Sequence, residues 1–437
     1  MNKRRDFLRL LTGATAGLSA AGWSSLAAAD DDRRTRTTTA ATVPTVSGVR
    51  GRVVVIGGGM AGATVAKYLR LWGGTGVDVT LVERASAYTS SIMSNLVLNG
   101  QRTIQSLQFG YGTLANRYGI RMVQGEVVSI DPVNRKVFLA DGTPLSYDRL
   151  VVAPGIDFDV VPGLETAEAQ AKVPHAWKAG PQTTALRNMI TAMPAQGGVF
   201  VMSIPAAPYR CPPGPYERAC VVADWLNRNK PGSQVIVLDA NPKIIAEPHA
   251  FEEGFALHGV HYYPGVTVNS VNPTAMQVNT SNGTIGANVI NIIPNHKAGK
   301  VITDNSLADA GGRWTSVDVR SYEAVVAPNI HVIGDASKTT QPKAGHIANQ
   351  EAKVCADAIV RLFAGKSPDP SPVTNSSCYS PITATTASWL TNIFAYDPAS
   401  GTMVSTTGGN VEAAGRSQDN YEDMIKWFNT LMADSFA

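Results

Sequence analysis

The stretch that most constrains the fold lies at residues 52–84 and reads RVVVIGGGMAGATVAKYLRLWGGTGVDVTLVER. A β-branched run, a glycine-rich turn, an alanine-rich helical stretch and a second β-branched run follow one another. Gly57, Gly59 and Gly62 have the G-x-G-x-x-G spacing, in which the first glycine permits a tight turn, the second admits a pyrophosphate and the third lets helix pack on strand. Glu83 ends the second run, where a carboxylate can bind ribose hydroxyls. The stretch predicts a strand–helix–strand unit that binds a dinucleotide.

Two further motifs indicate which dinucleotide to expect. YDRLVVAPG at 147–155 predicts a strand running into a Pro-Gly turn, and NIHVIGDAS at 329–337 predicts a strand ending in Gly-Asp-Ala. Both resemble the secondary motifs of flavoproteins with two dinucleotide-binding domains, whose aspartate, here Asp335, binds the ribityl chain of FAD. The stretch 341–363 predicts a helix whose N-terminus faces the flavin and favours negative charge on the reduced ring. The residues expected to bind FAD are Gly57, Gly59, Gly62, Glu83, Ala153, Gly155, Gly334, Asp335 and Lys343.

A second strand–turn–helix–strand pattern, at 197–240, lacks a nucleotide fingerprint. Its turn reads SIPAAPYRCPPGPYE, with five prolines and two tyrosines where glycines would have to admit a pyrophosphate. Asp239 ends the next strand as a ribose ligand would, but an aspartate in this place more often caps or forms a turn. We therefore expect no NAD(P)H at this unit, and interpret it as a nicotinamide site replaced by a cysteine site.

The four cysteines fall into two kinds of sequence context. Cys211 stands directly before two prolines, which predicts stiff, extended backbone and leaves open either a reactive thiol or an incidental cysteine in a turn. Cys378 is expected in a loop that follows a proline-rich stretch. Cys220 and Cys355 fall in helical stretches, where a small buried hydrophobe is expected. The two cysteines outside the helices are the candidates for a redox pair.

Several motifs together resemble one family. RCPPGPYER, PHAWKAGPQT, YDRLVVAPG and the CYS that begins at Cys378 look like the flavoprotein subunit of flavocytochrome c sulfide dehydrogenase. The resemblance implies hydrosulfide as the substrate, a disulfide between Cys211 and Cys378 beside the flavin ring, and proton transfer by Glu217. The other interpretation of Glu217 is a first-turn glutamate stabilised by the helix dipole.

One loop departs from the family. Family members tether FAD through a cysteine in the loop after the second strand, whereas this chain has Ser91 there, in AYTSSIMSN. Because a serine hydroxyl is a far poorer nucleophile than a thiol, FAD is expected to bind without a covalent bond. In the family-like run PHAWKAGPQT, His175 and Lys178 are expected to cap a loop.

Together these patterns predict an α/β chain with two Rossmann-like dinucleotide-binding domains, glutathione-reductase-like, and a smaller C-terminal α+β domain. The expected divisions are a twin-arginine signal peptide (1–29), a linker (30–50), the first part of the FAD-binding domain (51–165), the second Rossmann-like domain (166–295), the second part of the FAD-binding domain (296–370) and a C-terminal domain (371–437) that covers the flavin or faces a partner. In the last of these, Trp389, Trp427 and Phe428 are expected to lie in the core.

The N-terminus predicts export of the folded protein to the periplasm. An arginine pair precedes a short apolar run of small residues that ends in an Ala-x-Ala site, as in a twin-arginine signal cleaved near Ala29. The alternative is a membrane anchor or an amphipathic helix, which the shortness of the run disfavours. A net charge of +3 with dispersed basic residues argues against a nucleic-acid partner, and no later stretch predicts stable membrane insertion.

The expected function is oxidation of hydrosulfide to sulfur or polysulfide, with electrons passing through the disulfide and FAD to a c-type cytochrome. The chain has no C-x-x-C-H haem motif, so the haem is expected on a separate polypeptide. Two rivals are a sulfide:quinone reductase, which usually has a basic amphipathic C-terminal helix, and a non-turnover flavoprotein that keeps a sulfur-carrier protein active. The tail 416–437 carries four acids against two bases, with Met424, Trp427, Phe428 and Leu431 at helical spacing, which favours a helix docked on the core.

Overall fold

A parallel strand pair begins the fold in the computed structural model, which describes residues 43–437. β1 (Gly51–Ile56) pairs in parallel with β2 (Val77–Glu83), and α1 (Met60–Gly73) connects them. The last four residues of β1 are all buried, as expected of a β-branched strand in the middle of a covered sheet.

The remaining elements of the described residues follow in chain order. The helices after α1 are α2 (Asn95–Leu98), α3 (Gly112–Tyr118), α4 (Ala167–Lys172), α5 (Pro181–Thr191), α6 (Gly214–Asn229), α7 (Pro248–His258), α8 (Lys300–Asp304), α9 (Gly345–Phe363) and α10 (Gln418–Phe436). The strands after β2 are β3 (Ala87–Thr89), β4 (Gln108–Gly110), β5 (Arg121–Gln124), β6 (Val127–Asp131), β7 (Lys136–Leu139), β8 (Pro144–Ser146), β9 (Arg149–Val152), β10 (Ile156–Phe158), β11 (Val199–Ile204), β12 (Gln234–Asp239), β13 (His261–Pro264), β14 (Val268–Asn272), β15 (Gln277–Thr280), β16 (Gly283–Gly286), β17 (Val289–Ile292), β18 (His296–Ala298), β19 (Thr315–Asp318), β20 (Glu323–Ala324), β21 (Ile330–Val332), β22 (Ser337–Lys338), β23 (Val373–Pro381), β24 (Ala387–Asp397), β25 (Thr402–Ser405) and β26 (Val411–Glu412).

The largest sheet has the strand order β22-β19-β20-β21-β9-β1-β2-β5. Its five strands from β21 to β5 are parallel. Strands from 51–152 and from 315–338 therefore share one sheet, although the second unit lies between them in the chain. The sheet brings the turns after β1, β9 and β21 to one edge, because the carboxyl ends of parallel strands meet there.

The second unit has a smaller parallel sheet in the order β13-β12-β11-β17. α6 connects β11 to β12, and the proline-rich turn lies between β11 and α6. β14, β15 and β16 form a separate antiparallel sheet. The strand–turn–helix–strand order predicted for 197–240 is therefore present.

The C-terminal part consists of an antiparallel sheet and one helix. β23, β24 and β25 pair in this order, with β26 against β24. α10 packs on α1 and β24. Met424, Phe428 and Leu431 of α10 are buried, as the helical spacing predicts, whereas Trp389 and Trp427 are only half-buried and do not belong to the interior of the core.

The predicted fold class is confirmed: two Rossmann-like units and a C-terminal α+β part. One helix boundary differs, because the sequence interpretation has a helix from residue 341, whereas α9 begins at Gly345. Pro342 has no N–H to donate, and Ala344 is extended as the N-cap residue. Among residues 43–437 no helix has both the length and the apolar character needed to cross a bilayer. The predicted signal peptide lies outside the described residues.

Candidate active site

The turn after β1 leaves an open approach to the N-terminus of α1. Gly57 has φ +96°, and a Cβ there would lie 2.4 Å from the Ala153 carbonyl oxygen. A Cβ on Gly62 would lie 1.8 Å from the carbonyl oxygen of Gly57, so only glycine lets α1 pack this closely. A Cβ on Gly59 would meet nothing nearer than the Tyr88 ring at 3.9 Å. The three glycines thus have the three different roles that their spacing predicts.

Glu83 stabilises this turn from the end of β2. Its Oε2 accepts a hydrogen bond from the Gly58 N–H at 2.7 Å, and its Oε1 accepts one from the Ala85 N–H at 2.9 Å. The carboxylate lines the large cavity described next. Each oxygen has a second lone pair free to accept a ribose hydroxyl.

A cavity of about 760 Å³ runs along the carboxyl ends of the main-sheet strands. This volume is within the range of about 300–1,000 Å³ for cofactor pockets. The predicted flavin ligands that line it are Gly57, Gly59, Glu83, Ala153, Gly155, Gly334 and Asp335. Gly62 lies behind the turn and Lys343 lies outside the lining. Most of the predicted ligands therefore share one cavity.

Asp335 provides an independent test of whether a cofactor fits. Its Oδ1 is buried and has no hydrogen-bond partner among the described residues. Burial raises the pKa of this carboxyl, while Arg210 and Lys343 oppose the rise. A buried acceptor without a partner is costly unless a ligand donates to it. A hydroxyl of a ribityl chain is such a donor, and with the open Gly59 this fits FAD.

Lys343 supports the Asp335 loop from below. Its Nζ donates to the Asp335 carbonyl at 2.9 Å and to the Ser337 carbonyl at 2.8 Å, and it lies 3.8 Å from the centre of the Trp314 ring. The ammonium of Lys343 is thus fully engaged with the protein. Lys343 therefore stabilises the Asp335 loop and does not form part of the cavity wall.

The backbone of Cys211 differs from the extended conformation that the sequence predicts. Its φ is +63°, in the left-handed region that residues other than glycine seldom adopt. Two hydrogen bonds hold it there: the Cys211 N–H donates to the Lys343 carbonyl at 2.7 Å, and the Gly214 N–H donates to the Cys211 carbonyl at 2.9 Å. Pro212 disfavours the right-handed helical region for Cys211, and these bonds stabilise the left-handed one. Strained backbone of this kind is typical of functional sites.

Gly214 leaves room for the sulfur. A Cβ at Gly214 would lie 2.7 Å from the Cys211 Sγ and 3.1 Å from the Trp177 ring. The glycine in CPPG is therefore required by the position of the thiol, and its place in this motif is the sequence signal for a sulfur held close to the start of α6.

Cys378 lies in strand β23, opposite Leu390 of β24, and not in the loop that the sequence predicts. Cys378 and Cys211 both line the cavity. Burial raises the pKa of the Cys378 thiol well above its usual value, and Cys211 adds to the rise. All four cysteines are free thiols in this structure, and Cys220 and Cys355 are fully buried, as expected.

Glu217 is a buried carboxyl beside the thiol pair. It stands in the first turn of α6, lines the cavity, and its Oε1 accepts a hydrogen bond from Asn95 Nδ2 at 2.9 Å. Burial raises its pKa to about 8, against the opposing effects of Asn95 and Arg218. The group therefore carries a proton at neutral pH, which a first-turn glutamate stabilised only by the helix dipole would not.

Asn95 and Arg218 were not anticipated from the sequence. Arg218 is almost fully buried, and its Nε donates to Asn95 Oδ1 at 2.9 Å. Asn95 in turn donates to Glu217. The short helix α2, which carries Asn95, has no motif that would have indicated this contact. The three side chains form a buried chain that fixes the orientation of the Glu217 carboxyl.

Of the loop residues near the cavity, His175 has the capping role that the sequence predicts, whereas Lys178 has a different one. His175 Nδ1 accepts a hydrogen bond from the Trp177 N–H at 3.0 Å, which caps the loop. Lys178 lines the cavity and pairs with Asp157 at 3.5 Å. Ser91 also lines the cavity, and its Oγ accepts from the Ala179 N–H at 3.3 Å.

The second Rossmann-like unit has no free ribose ligand. Asp239 is fully buried, and its Oδ2 accepts hydrogen bonds from the hydroxyls of Tyr216 and Tyr262, each at 2.8 Å. Its Oδ1 accepts from the backbone and the side chain of Asn241. Both oxygens are thus occupied by the protein itself.

Comparisons with known proteins agree with this geometry. The sequence model of the central part of the sulfide dehydrogenase (flavocytochrome c) flavoprotein chain matches residues 183–294, and that of the flavin-binding part of flavocytochrome c sulphide dehydrogenase matches residues 370–436. The pyridine nucleotide-disulphide oxidoreductase model matches residues 51–186. This chain belongs to the flavocytochrome c sulfide dehydrogenase flavoprotein family.

Individual relatives are more distant. A mitochondrial sulfide:quinone oxidoreductase of Dictyostelium discoideum is 21% identical over 325 residues, which cover 71% of this chain and 70% of the relative. A probable ferredoxin reductase, CtmF, of Castellaniella defragrans is 39% identical over 107 residues, which cover 24% of this chain and only 26% of that relative. The crystal structure of the sulfide:quinone oxidoreductase of Aquifex aeolicus has a TM-score of 0.70 at 18% identity, covering 88% of this chain and 92% of that one.

The family assignment explains the cavity. The family has a flavin-binding domain, and the solved relative shares the two-dinucleotide-domain fold. The chain is thus an FAD-dependent flavoprotein, and its family supports a redox function of the sulfide-oxidising type. The sequence-based prediction of the family is confirmed. The individual site residues stay predictions, although the structure brings most of them to one cavity.

Proposed function

We propose that this protein is the flavoprotein subunit of a periplasmic sulfide dehydrogenase that oxidises hydrosulfide through the pair Cys211 and Cys378. The observation that carries the proposal is that Cys211, Cys378 and the buried carboxyl of Glu217 all line one cavity that fits FAD. Export by the twin-arginine signal and transfer of electrons to a separate c-type cytochrome complete the proposal.

The sulfur chemistry requires the two cysteines as a disulfide at the start of a cycle. The sulfur of hydrosulfide forms a bond to one cysteine sulfur, the bond between the cysteines breaks, and its electron pair goes to the other sulfur as a thiolate. A second hydrosulfide then removes the outer sulfur of the persulfide as hydrodisulfide, which leaves one thiol and one thiolate. Re-formation of the disulfide releases two electrons and one proton. FAD, when bound, supplies the acceptor for this electron pair.

Glu217 provides the proton that the buried thiolate needs. Burial raises the pKa of the Cys211 thiol to about 12, and nearby Glu217 adds to the rise. A thiolate left at this place is therefore unfavourable, and a carboxyl with a pKa of about 8 can give its proton to the sulfur. The hydrogen bond from Asn95 keeps the carboxyl in position between turnovers.

The flavin is held without a covalent bond in this proposal. Ser91 stands where family members have the tethering cysteine, and its hydroxyl already accepts a hydrogen bond from the loop at Ala179. We expect acid denaturation and centrifugation to release all the flavin to the supernatant. A pellet that keeps the flavin, with a mass increment of one FAD, would show that another residue makes the bond.

The decisive experiment is anaerobic addition of sulfide to the purified holoprotein. We expect rapid loss of the visible flavin absorbance and, with a c-type cytochrome present, steady cytochrome reduction. Reduction of a quinone in preference to the cytochrome would favour a sulfide:quinone reductase, and activity only with a sulfur-carrier protein would favour a redox helper. No reduction by sulfide under any of these conditions would overturn the proposal.

A further inference from the structure

A second buried carboxyl, Glu247, lies behind the thiol pair and has no role so far. It precedes Pro248 at the start of α7 with φ +50°, so it repeats the left-handed, pre-proline backbone of Cys211. Its side chain is fully buried. Oε2 accepts a hydrogen bond from the Ser380 hydroxyl, while Oε1 has no partner among the described residues. A fully buried carboxyl with one free oxygen is costly, and such strain is typical of functional groups.

Ser380 connects this carboxyl to the strand that carries Cys378. Cys378 and Ser380 are two residues apart in β23, so their side chains leave the same face of the sheet. Ser388 stands opposite Ser380 in the register of β24 and is buried on the same face. Glu247 therefore packs on the sheet face from which the Cys378 sulfur projects.

The acidic groups that interact with Glu247 are Glu217 and Cys220 of α6, Cys378 of β23 and Glu412 of β26. Two basic groups act on members of this set: His249 of α7 on Glu412, and Arg416 on Cys220. Burial raises the pKa of Glu247 to about 7, Ser380 and Ser388 oppose the rise, and Glu412 adds to it. Charge on Glu247 raises the pKa of the Cys378 thiol in turn. Within the thiol pair, the charge on Glu247 acts on Cys378, whereas Glu217 acts on both thiols.

We propose that Glu247 is a positioning residue of the thiol pair: it holds β23 through Ser380, and its negative charge opposes a thiolate at Cys378. The ionised carboxyl thereby helps to keep the Cys378 sulfur protonated in the reduced protein. A proton on Glu247 removes this contribution, while burial and Cys211 continue to raise the pKa of the Cys378 thiol. The catalytic purpose of this role rests on the proposed function. The role itself concerns the thiol in the resting, reduced protein.

The test measures thiol reactivity and needs no sulfide. The reduced holoprotein is alkylated with iodoacetamide across a range of pH, and the rates at Cys378 and Cys211 are followed by peptide mass spectrometry. Above about pH 7, where Glu247 is charged, we expect Glu247→Gln to raise the Cys378 rate about tenfold, the effect of one pKa unit on the thiolate fraction. The Cys211 rate should change far less. Glu252→Gln, an exposed carboxyl on the same helix, is the matched control and should leave both rates unchanged.

Ser380→Ala provides a second variant that keeps the carboxyl. The Ser380 hydroxyl lowers the pKa of Glu247. Its removal should therefore shift the inflection in the Cys378 rate to higher pH. Flavin content and a thermal melt establish that each variant is folded. Unchanged Cys378 profiles in both folded variants, or equal changes at Cys211, would overturn the role of Glu247. Failure of sulfide to reduce the wild type would overturn the proposed function alone, since the alkylation profiles do not depend on it.

Discussion

The turn after β1 and the turn after β11 occupy the same place in two similar strand–turn–helix units, yet they consist of opposite kinds of residue. The first is open glycine backbone, in which Gly59 leaves space for a ligand at the start of α1. The second is proline-rich and rigid, and it points the Cys211 thiol and the Glu217 carboxyl into the cavity. The comparison shows that in both units the turn at the carboxyl end of the first strand lies beside a helix N-terminus. The residues of the turn determine whether this place can bind a phosphate or holds a reactive sulfur.

The largest expected effect breaks the first turn. Gly62→Ala places a Cβ 1.8 Å from the Gly57 carbonyl oxygen, so the helix must move away from the strand at a cost of about 1–3 kcal/mol or more. We expect loss of most of the bound FAD, measured as flavin per polypeptide after purification, and a lower melting temperature. Gly112→Ala, whose Cβ would meet nothing within 4 Å, is the control. Full flavin content in the Gly62 variant would contradict the assigned geometry.

The next largest effect is expected from substitutions at the thiol pair and in the proline-rich turn, which leave the glycine turn intact. Cys211→Ser and Cys378→Ser should each abolish flavin reduction by sulfide while FAD stays bound, because either change removes the disulfide. Gly214→Ala should retain FAD and slow this reduction, since its Cβ would lie 2.7 Å from the Cys211 sulfur. Cys220→Ser is the control and should behave as the wild type. Equal reduction rates in all of these variants would exclude a disulfide mechanism.

A smaller, pH-dependent effect sharpens the role of Glu217. Its folded pKa of about 8 is raised above the ordinary value, so the folded state holds a proton that the unfolded chain releases at lower pH. The contribution of this proton to the free energy of unfolding therefore declines as pH rises from about 5 towards 8. Sulfide-dependent reduction should also fall about tenfold per pH unit above pH 8. Glu217→Gln should flatten the dependence on pH of both the stability and the reduction rate. If the rate of that variant still falls above pH 8, the fall belongs to another titratable group.

The smallest expected effect is an absence of binding at the second unit. NADH should produce no heat of binding in calorimetry, because Asp239 is occupied by Tyr216 and Tyr262 and the proline-rich turn cannot seat a pyrophosphate. Stoichiometric binding of NADH would show that the proline-rich turn accepts a pyrophosphate as the glycine turn does, and would contradict the comparison.

Local patterns predicted the parts of the molecule that depend on local geometry. The glycine turn combines strand, turn and helix in a few residues, and the Pro-Gly turn at Gly155 and the Gly-Asp turn at Asp335 each directly follow a strand. Their order along the chain therefore identified the FAD-binding sheet. The burial of Cys220 and Cys355 followed from helical context in the same way.

Long-range contacts explain what the sequence did not predict. Cys378 lies in a strand because β24 pairs with it, although the four residues before it are all polar. Cys211 adopts a positive φ because the Lys343 carbonyl, far along the chain, accepts its N–H. Asn95 and Glu247 reach the thiol pair through tertiary packing alone, and no pattern in their own segments indicates it.

The bond between the Cys211 N–H and the Lys343 carbonyl also limits how the chain can vary in length. The same lysine side chain holds the Asp335 loop, so a single anchoring residue sets the distance from the reactive sulfur to the flavin cradle. One residue inserted or deleted between Lys338 and Lys343 would displace the sulfur even though neither cysteine had changed. The exposed hairpin turn at 281–283 is hydrogen-bonded to Thr267 and Thr280, and none of these residues lines the cavity. Insertions should be accepted there and excluded at the anchor, whatever residues surround either place.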